Sequence, residues 1–476
     1  MIPNFNRTKI IATVGPSSNT YEMLLELVRT GVNMFRFNFS HGTHEQHKKV
    51  FEHIHKINRA YKLNIGILAD LQGPKIRIGE VKDNHIELEK GMELNITSHK
   101  SISTEQQLYV SYEQLPRDAQ PGDKILLDDG KVELQVISSN GVDLLKVKVL
   151  HGGPLSSKKG VNLPDTKLST SSITDKDKAD LEFAMANGAN WIAMSFVRSP
   201  DDVLELRQLI GNTKKHRIIA KIEKPEALTC IDEIITVSDA IMIARGDLGV
   251  EVPMERMPLI QKDIVRRCVL ASKPVVVATQ IMESMMTASR PTRAEINDVA
   301  NDMIDPADAS MLSGETAAGA HTIKVVETLM RIMKYIEQEG ELVYNRKGRP
   351  DRSSKTYISD SICHSAARMS ETVEAKAIIG MTRSGYTAFM VSSYRPKANI
   401  IIFTDSEDLL NILSISWGVQ AYYYDKFVST DESINDVIEF IKSKNIVGKG
   451  DLVINTGTMP LHKQGRANFV KVTVVE

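Results

Sequence analysis

A lysine and a glutamate two residues apart, Lys221 and Glu223, close the apolar run RIIAKIE. A strand has period two, so both side chains leave the same face. The next apolar run, DAIMIARGD, repeats the plan and ends on Asp247, with Gly246 beside it letting backbone come close to a ligand. An ammonium beside two carboxylates on neighbouring strand ends can hold a divalent cation and an anion together. The same three charges also suit an ordinary exposed strand edge, so the rest of the chain has to decide between the two.

The elements that must position these groups read as parallel βα units. KIIATVG, MFRFNFS and IGILAD alternate with helical patterns over 21–29 and 43–61. After an interruption the rhythm resumes with WIAMSFV, RIIAKIE, DAIMIARGD, KPVVVATQ and DASMLSGE, separated by helical patterns that include 200–210, 257–272 and 293–304. Three strands and five make eight, which predicts a closed (β/α)8 TIM barrel with its site at the C-terminal strand ends. Polar residues should gather there. They do: Arg36, Asn38 and Ser40; Asp70; Ser195 and Arg198; Lys221 and Glu223; Arg245 and Asp247; Thr279 and Gln280; Ser313 and Glu315. The strand starts are plain Ile, Val, Met and Ala.

The interruption has a different grammar. KIRIGEV, HIELEK, MELNITS, DKILLDDGKVELQVI and VDLLKVKVL are short alternating strands, with Asp129-Gly130 and Asn140-Gly141 as hairpin turns. They predict an inserted all-β barrel lid over 75–170, hinged at 72–74 and 168–172, within a barrel domain over 1–74 and 171–344. A charged, turn-rich linker follows, and 345–476 reads as a C-terminal α/β domain. Its first strand leads into TRSGYT, where Thr382, Arg383, Ser384, Gly385 and Thr387 precede or open a helix. Free N–H groups and the dipole there suit a phosphate, and a plain capped turn fits equally.

Composition removes some classes. The 59 basic and 60 acidic residues leave a net charge of -1, so nothing in the charge balance draws the chain to nucleic acid or an anionic membrane, and any anion site must be local. Cys230, Cys268 and Cys363 lack CxxC spacing and point to a reducing compartment. No stretch reads as a membrane span and the N-terminus lacks signal-peptide order, so the expected location is cytoplasmic.

IIATVGPSS, RFNFSHGTHE, KIEKPEA, ARGDLGVE, VATQIMESM, RPTRAEINDVAND and MLSGETAAG resemble the successive motifs of the pyruvate kinase family, in order, and SSKKGVNLP resembles that of its lid. The resemblance spans the whole chain and is weaker after Tyr344. It implies Mg²⁺-dependent phosphoryl transfer from phosphoenolpyruvate to ADP in glycolysis, giving pyruvate and ATP. Glu223 and Asp247 would hold Mg²⁺. Lys221 and Arg36, with Ser195, would contact the phosphoryl group; Gly246, Asp247 and Thr279 would hold the substrate carboxylate. Thr279 and Ser313, through a water, are candidates for protonating the enolate. Asn38, His41, Arg77 and Lys159 match nucleotide contacts.

Much of the family holds K⁺ through positions matching Asn38, Ser40, Asp70 and the Leu71 carbonyl, with an acidic residue where this chain has Lys75. The lysine resembles the K⁺-independent branch, its ammonium replacing the ion. Resemblance also implies a homotetramer and a phosphorylated effector at TRSGYT, facing the loop after Thr456. Two other readings are a Mg²⁺-dependent lyase or aldolase on the same barrel, which has no need of a lid with Lys159 and a nucleotide clamp, and a catalytically silent metabolite-binding protein, against which Lys221, Glu223, Asp247 and Thr279 together speak.

Overall fold

The computed structural model describes residues 5–339, 341–344, 347–426, 429–459 and 465–476. Eight strands, β1 (Lys9–Thr13), β2 (Met34–Asn38), β3 (Gly66–Asp70), β4 (Trp191–Met194), β5 (Arg217–Ile222), β6 (Ala240–Ala244), β7 (Val275–Ala278) and β8 (Ala309–Leu312), close in chain order into one parallel barrel. Helices between them pack on the outside. The helix His44–Tyr61 starts at a capping box in which Thr43 accepts from the Gln46 N–H while the Gln46 side chain reaches back, and Tyr21–Thr30 stops at Gly31, whose φ of 136° no β-carbon residue adopts easily.

Strand alternation divides the core in two. Ile10, Phe35, Phe37, Ile67, Ile192, Ile218, Ile243 and Val277 face the helices, whereas Ile11, Met34, Leu68, Ala193, Ile219, Met242, Val276 and Met311 fill the barrel interior. Arg36, Asp70, Ser195 and Lys221 each lie two residues beyond an interior residue (Met34, Leu68, Ala193, Ile219), so the same parity carries them to the mouth.

The insert holds a six-stranded sheet whose edges are Val161–Asn162 and Gln107–Tyr109, plus a two-stranded pair. KIRIGEV, expected as a strand, forms no continuous ladder. Its isolated bridges run from Arg77 to Gly160, from Ile78 to Val110 and from Val81 to Ser103, and the first two set it against both sheet edges. The Ile78 N–H donates to Lys159 at 2.8 Å and the Gly79 N–H to Tyr109 at 2.9 Å, in opposite directions. A segment whose donors alternate between two edges closes the sheet on itself, which is why it pairs with neither over a long run.

The C-terminal unit is a five-stranded sheet, four strands parallel and the last, Phe469–Val474, antiparallel. It packs beneath the barrel, at the end away from the mouth. The buried Trp191 indole donates to the Ile412 carbonyl at 3.1 Å, and buried Arg395 meets Asp308 at 3.1 Å. No helix among the described residues is long and apolar enough to cross a membrane.

Candidate active site

Parallel register levels the C-terminal strand ends. Thr13 pairs with Arg36, Asn38 with Asp70, Asp70 with Ala193, Ala220 with Met194, Ala244 with Ala278 and Ala12 with Leu312. One ring of positions therefore carries the mouth. Within it Lys221 Nζ lies 2.9 Å from Glu223 and 3.1 Å from Asp70, and donates to Ser195 Oγ at 2.7 Å. Arg36 Nε donates to the other Asp70 oxygen at 2.6 Å while its Nη1 reaches the Thr13 hydroxyl at 3.0 Å. Lys221 is 8 % exposed, Glu223 2 % and Asp70 1 %, so these charges face one another with little water between.

The electrostatics follow. Burial alone would raise the Asp70 carboxyl, but Lys221 and Arg36 more than offset it and hold it below the ordinary carboxylate range. Burial likewise works against the Lys221 charge, and Asp70 and Glu223 overcome it, leaving the ammonium firmly protonated. Glu223 goes the other way: burial raises it, Lys221 pulls it back only in part, and Asp247 pushes it up again. Two carboxylates that repel one another are a donor set a divalent cation relieves. Among the described residues no three acidic, His or Cys side chains form a complete cage, and a pair suits Mg²⁺, which keeps its other positions for substrate and water.

Asp247 is not on a strand. β6 stops at Ala244, and Asp247 lies in the first turn of a seven-residue helix, Arg245–Glu251. The reason is local: the Gly246 N–H turns inward to donate to Thr279 Oγ1 at 2.7 Å, and a β-carbon on Gly246 would stand 3.3 Å from that hydroxyl. Thr279 itself has φ 69°, a costly conformation for a β-branched residue, and Phe196 and Gln280 share positive φ. Arg245 supports the turn by donating to the Thr279 and Gln280 carbonyls at 2.9 and 3.0 Å. Ser313 caps a short helix after β8; Glu315 accepts its N–H at 2.6 Å, and the Ser313 hydroxyl is buried with no hydrogen-bond partner among the described residues.

The sequence model of the pyruvate kinase barrel domain matches residues 5–326, and that of the pyruvate kinase alpha/beta domain matches 360–473. The chain belongs to the pyruvate kinase family. It is 40% identical over 474 residues to pyruvate kinases of two Staphylococcus aureus strains, MRSA252 and USA300, covering 98% of this chain and 80% of each relative. A crystal structure of a pyruvate kinase from Cryptosporidium parvum superposes with a TM-score of 0.91 at 34% identity, covering 99% of this chain and 96% of that one. Pyruvate kinases are phosphotransferases that generally use a divalent metal.

Not every expected group joins the central cluster. Lys75 Nζ lies 3.5 Å from Asp247, while Asp70 is taken by Arg36 and Lys221, the Leu71 carbonyl accepts from Ser195 at 2.7 Å, and Asn38 accepts from the Ser40 N–H at 3.1 Å. On the lid, Lys159 pairs with Asp128 at 2.9 Å and Arg77 donates to the Lys158 carbonyl at 3.0 Å; His41 is exposed beyond β2. In TRSGYT, the Gly385 N–H donates to Thr382 Oγ1 at 3.1 Å, Arg383 pairs with Asp405 at 3.0 Å, Arg217 donates to the Ser384 carbonyl at 3.3 Å and Thr387 is buried. Residues 460–464 of the loop after Thr456 lie outside the described residues.

Two supporting groups escaped the sequence reading. Arg198, placed only at a strand end, donates to the Leu168 and Thr170 carbonyls and the Ser172 hydroxyl, clamping the segment expected as the second hinge. Behind Arg245, fully buried Asp302 accepts from Gln261 at 2.7 Å, and Arg245 is 3.8 Å away. Burial pushes the Asp302 carboxyl up to about 7, with Arg245 lowering it less than burial raises it. Between the ordinary carboxylate value and that pH the folded chain binds more protons than the unfolded chain. Its contribution to stability therefore falls as pH rises through this window. Asp302→Asn should flatten that fall, and denaturant titrations across the window check it; parallel curves for both proteins would contradict it.

Proposed function

We propose that this chain catalyses Mg²⁺-dependent phosphoryl transfer from phosphoenolpyruvate to ADP, giving pyruvate and ATP in glycolysis. The carrying observation is the Lys221 ammonium, held 2.9–3.1 Å from Glu223 and Asp70, with the Asp247 charge also acting on it. Phosphoryl transfer needs charge neutralisation and alignment more than covalent help. Lys221 and Arg36 face the phosphoryl oxygens, with Ser195 orienting Lys221. Glu223 and Asp247 would hold Mg²⁺, which when bound would supply positive charge to offset the negative charge of the reacting groups. The backbone at Gly246 and Asp247 and the Thr279 hydroxyl receive the substrate carboxylate.

The enolate left behind must gain a proton on carbon. The Thr279 hydroxyl already donates to the Ala278 carbonyl at 2.6 Å, whereas the buried Ser313 hydroxyl has no partner among the described residues, which favours Ser313 with a water as the relay. Asn38, His41, Arg77 and Lys159 receive the nucleotide, and the lid excludes water from the phosphoryl group. These roles rest on the division into a barrel (1–74, 171–344), a lid (75–170) and a C-terminal domain (345–476), in a cytoplasmic homotetramer with a phosphorylated effector at TRSGYT. A coupled assay tests the reaction: pyruvate should appear from phosphoenolpyruvate only with both ADP and Mg²⁺. Pyruvate release indifferent to ADP would favour a lyase or hydrolase.

K⁺ is not needed. Both Asp70 oxygens are already engaged by fixed cations, and Lys75 brings its charge to within 3.5 Å of Asp247, which supports a site that works without a monovalent ion. Replacing K⁺ by a bulky organic cation should leave the rate within about twofold, and Lys75→Glu should create a K⁺ requirement. A large loss in the wild-type protein would contradict the assignment.

A further inference from the structure

The lid touches the barrel mouth at the far end of the helix that carries Asp247. Glu251, the last residue of Arg245–Glu251, is 5 % exposed, and one of its oxygens, Oε1, accepts two hydrogen bonds. One comes from Lys224 Nζ at 2.7 Å, the residue after Glu223; the other comes from Asn162 Nδ2 of the lid at 2.9 Å. The second oxygen, Oε2, is buried without a hydrogen-bond partner among the described residues. The carboxylate borders a small cavity between lid and barrel, shared with Pro74, Lys75, Phe196 and Asp247. Nearby, a β-carbon on Gly130, in the lid's hairpin turn, would come 3.7 Å from Val250, so the lid tip rests on the same helix.

A single buried acid therefore joins three pieces: the turn bearing Glu223, the helix bearing Asp247, and the lid. We infer that Glu251 is a positioning residue that couples lid closure to the placement of the Glu223 and Asp247 carboxylates, with Asn162 as the latch. The inference rests on the phosphoryl-transfer reading for its chemical consequence, not for the contact itself. When the lid lifts, Asn162 withdraws, water reaches Glu251, and the acid keeps only Lys224. With Asn162 in place, both ends of the short helix are tied down, at Gly246 by Thr279 and at Glu251 by Lys224 and Asn162. The carboxylate pair is then set only when the cavity is shut against water, so transfer to a nucleotide outruns hydrolysis.

Asn162→Asp sets a second carboxylate against Glu251 and should spring the latch, because like charges at such a contact are strongly unfavourable. Adding Glu251→Gln to that substitution lets the amide and the carboxylate trade places across the contact, and Lys224 keeps an acidic partner nearby. Hydrogen–deuterium exchange without substrate should quicken about tenfold or more at 158–163 and 245–251 in the single variant and return toward wild type in the double variant. In the coupled assay Asn162→Asp should form more pyruvate than ATP, with the ratio restored in the double variant. Wild-type exchange in the single variant, or a double variant no better than the single, overturns the latch. The expected exchange pattern in a protein that makes no ATP from phosphoenolpyruvate and ADP would sink the reaction assignment and leave the contact standing.

Discussion

Lys221→Met is expected to lower turnover by about a thousandfold or more while the protein still folds. Among the described residues the lysine is the one cation that touches Asp70, Glu223 and Ser195 at once, and removing a preorganised charge from a dry site costs about 10²–10³ in rate even for a single hydrogen-bond donor. Stripping one partner from a buried charge pair costs about 3–5 kcal/mol when the remainder stays ionised and alone. Neither acid is left so exposed here. Asp70 keeps Arg36 at 2.6 Å, and Glu223, already raised by burial, can take up a proton. Melting temperature should therefore fall modestly while turnover collapses. A variant within about tenfold of wild type would remove Lys221 from the chemistry.

Glu223→Gln should have the second largest effect, a rate loss of about 10²–10³ at ordinary Mg²⁺ with a partial recovery as Mg²⁺ is raised. Glutamine keeps an oxygen for the Phe196 N–H, which donates to Glu223 at 2.7 Å, and it removes the repulsion from Asp247. Stability should fall only modestly: the new amide NH2 faces the Lys221 ammonium, which keeps Asp70 at 3.1 Å. That combination separates a lost metal ligand from a damaged barrel. An unchanged Mg²⁺ dependence would place the metal elsewhere.

The barrel was legible because its signals are periodic and repeated. Eight apolar runs of strand length alternate with helical patterns, and the polar residues that end them stand in parity with interior residues such as Met34, Leu68 and Ile219. Lys221 and Glu223, read as lying on one face from their spacing, are 2.9 Å apart. Where backbone leaves the period, reading by alternation fails. DAIMIARGD continues the apolar pattern to Asp247, yet the chain turns into a helix at Arg245, because Gly246 approaches Thr279. KIRIGEV alternates like a strand and instead closes the lid sheet between two edges, which depends on neighbours far along the chain. The clamps formed by Arg198, Arg245 with Asp302, and Lys224 with Glu251 and Asn162 join residues tens of positions apart and have no local pattern to announce them.

Crystals soaked with Mn²⁺ and phosphoenolpyruvate, measured at the Mn absorption edge, test the central claim most directly. A single strong anomalous peak should lie between the Glu223 and Asp247 carboxylates, with the phosphoryl group beside it against Lys221 and Arg36. A peak at any other acidic pair, or a substrate seated away from Lys221, would contradict the account.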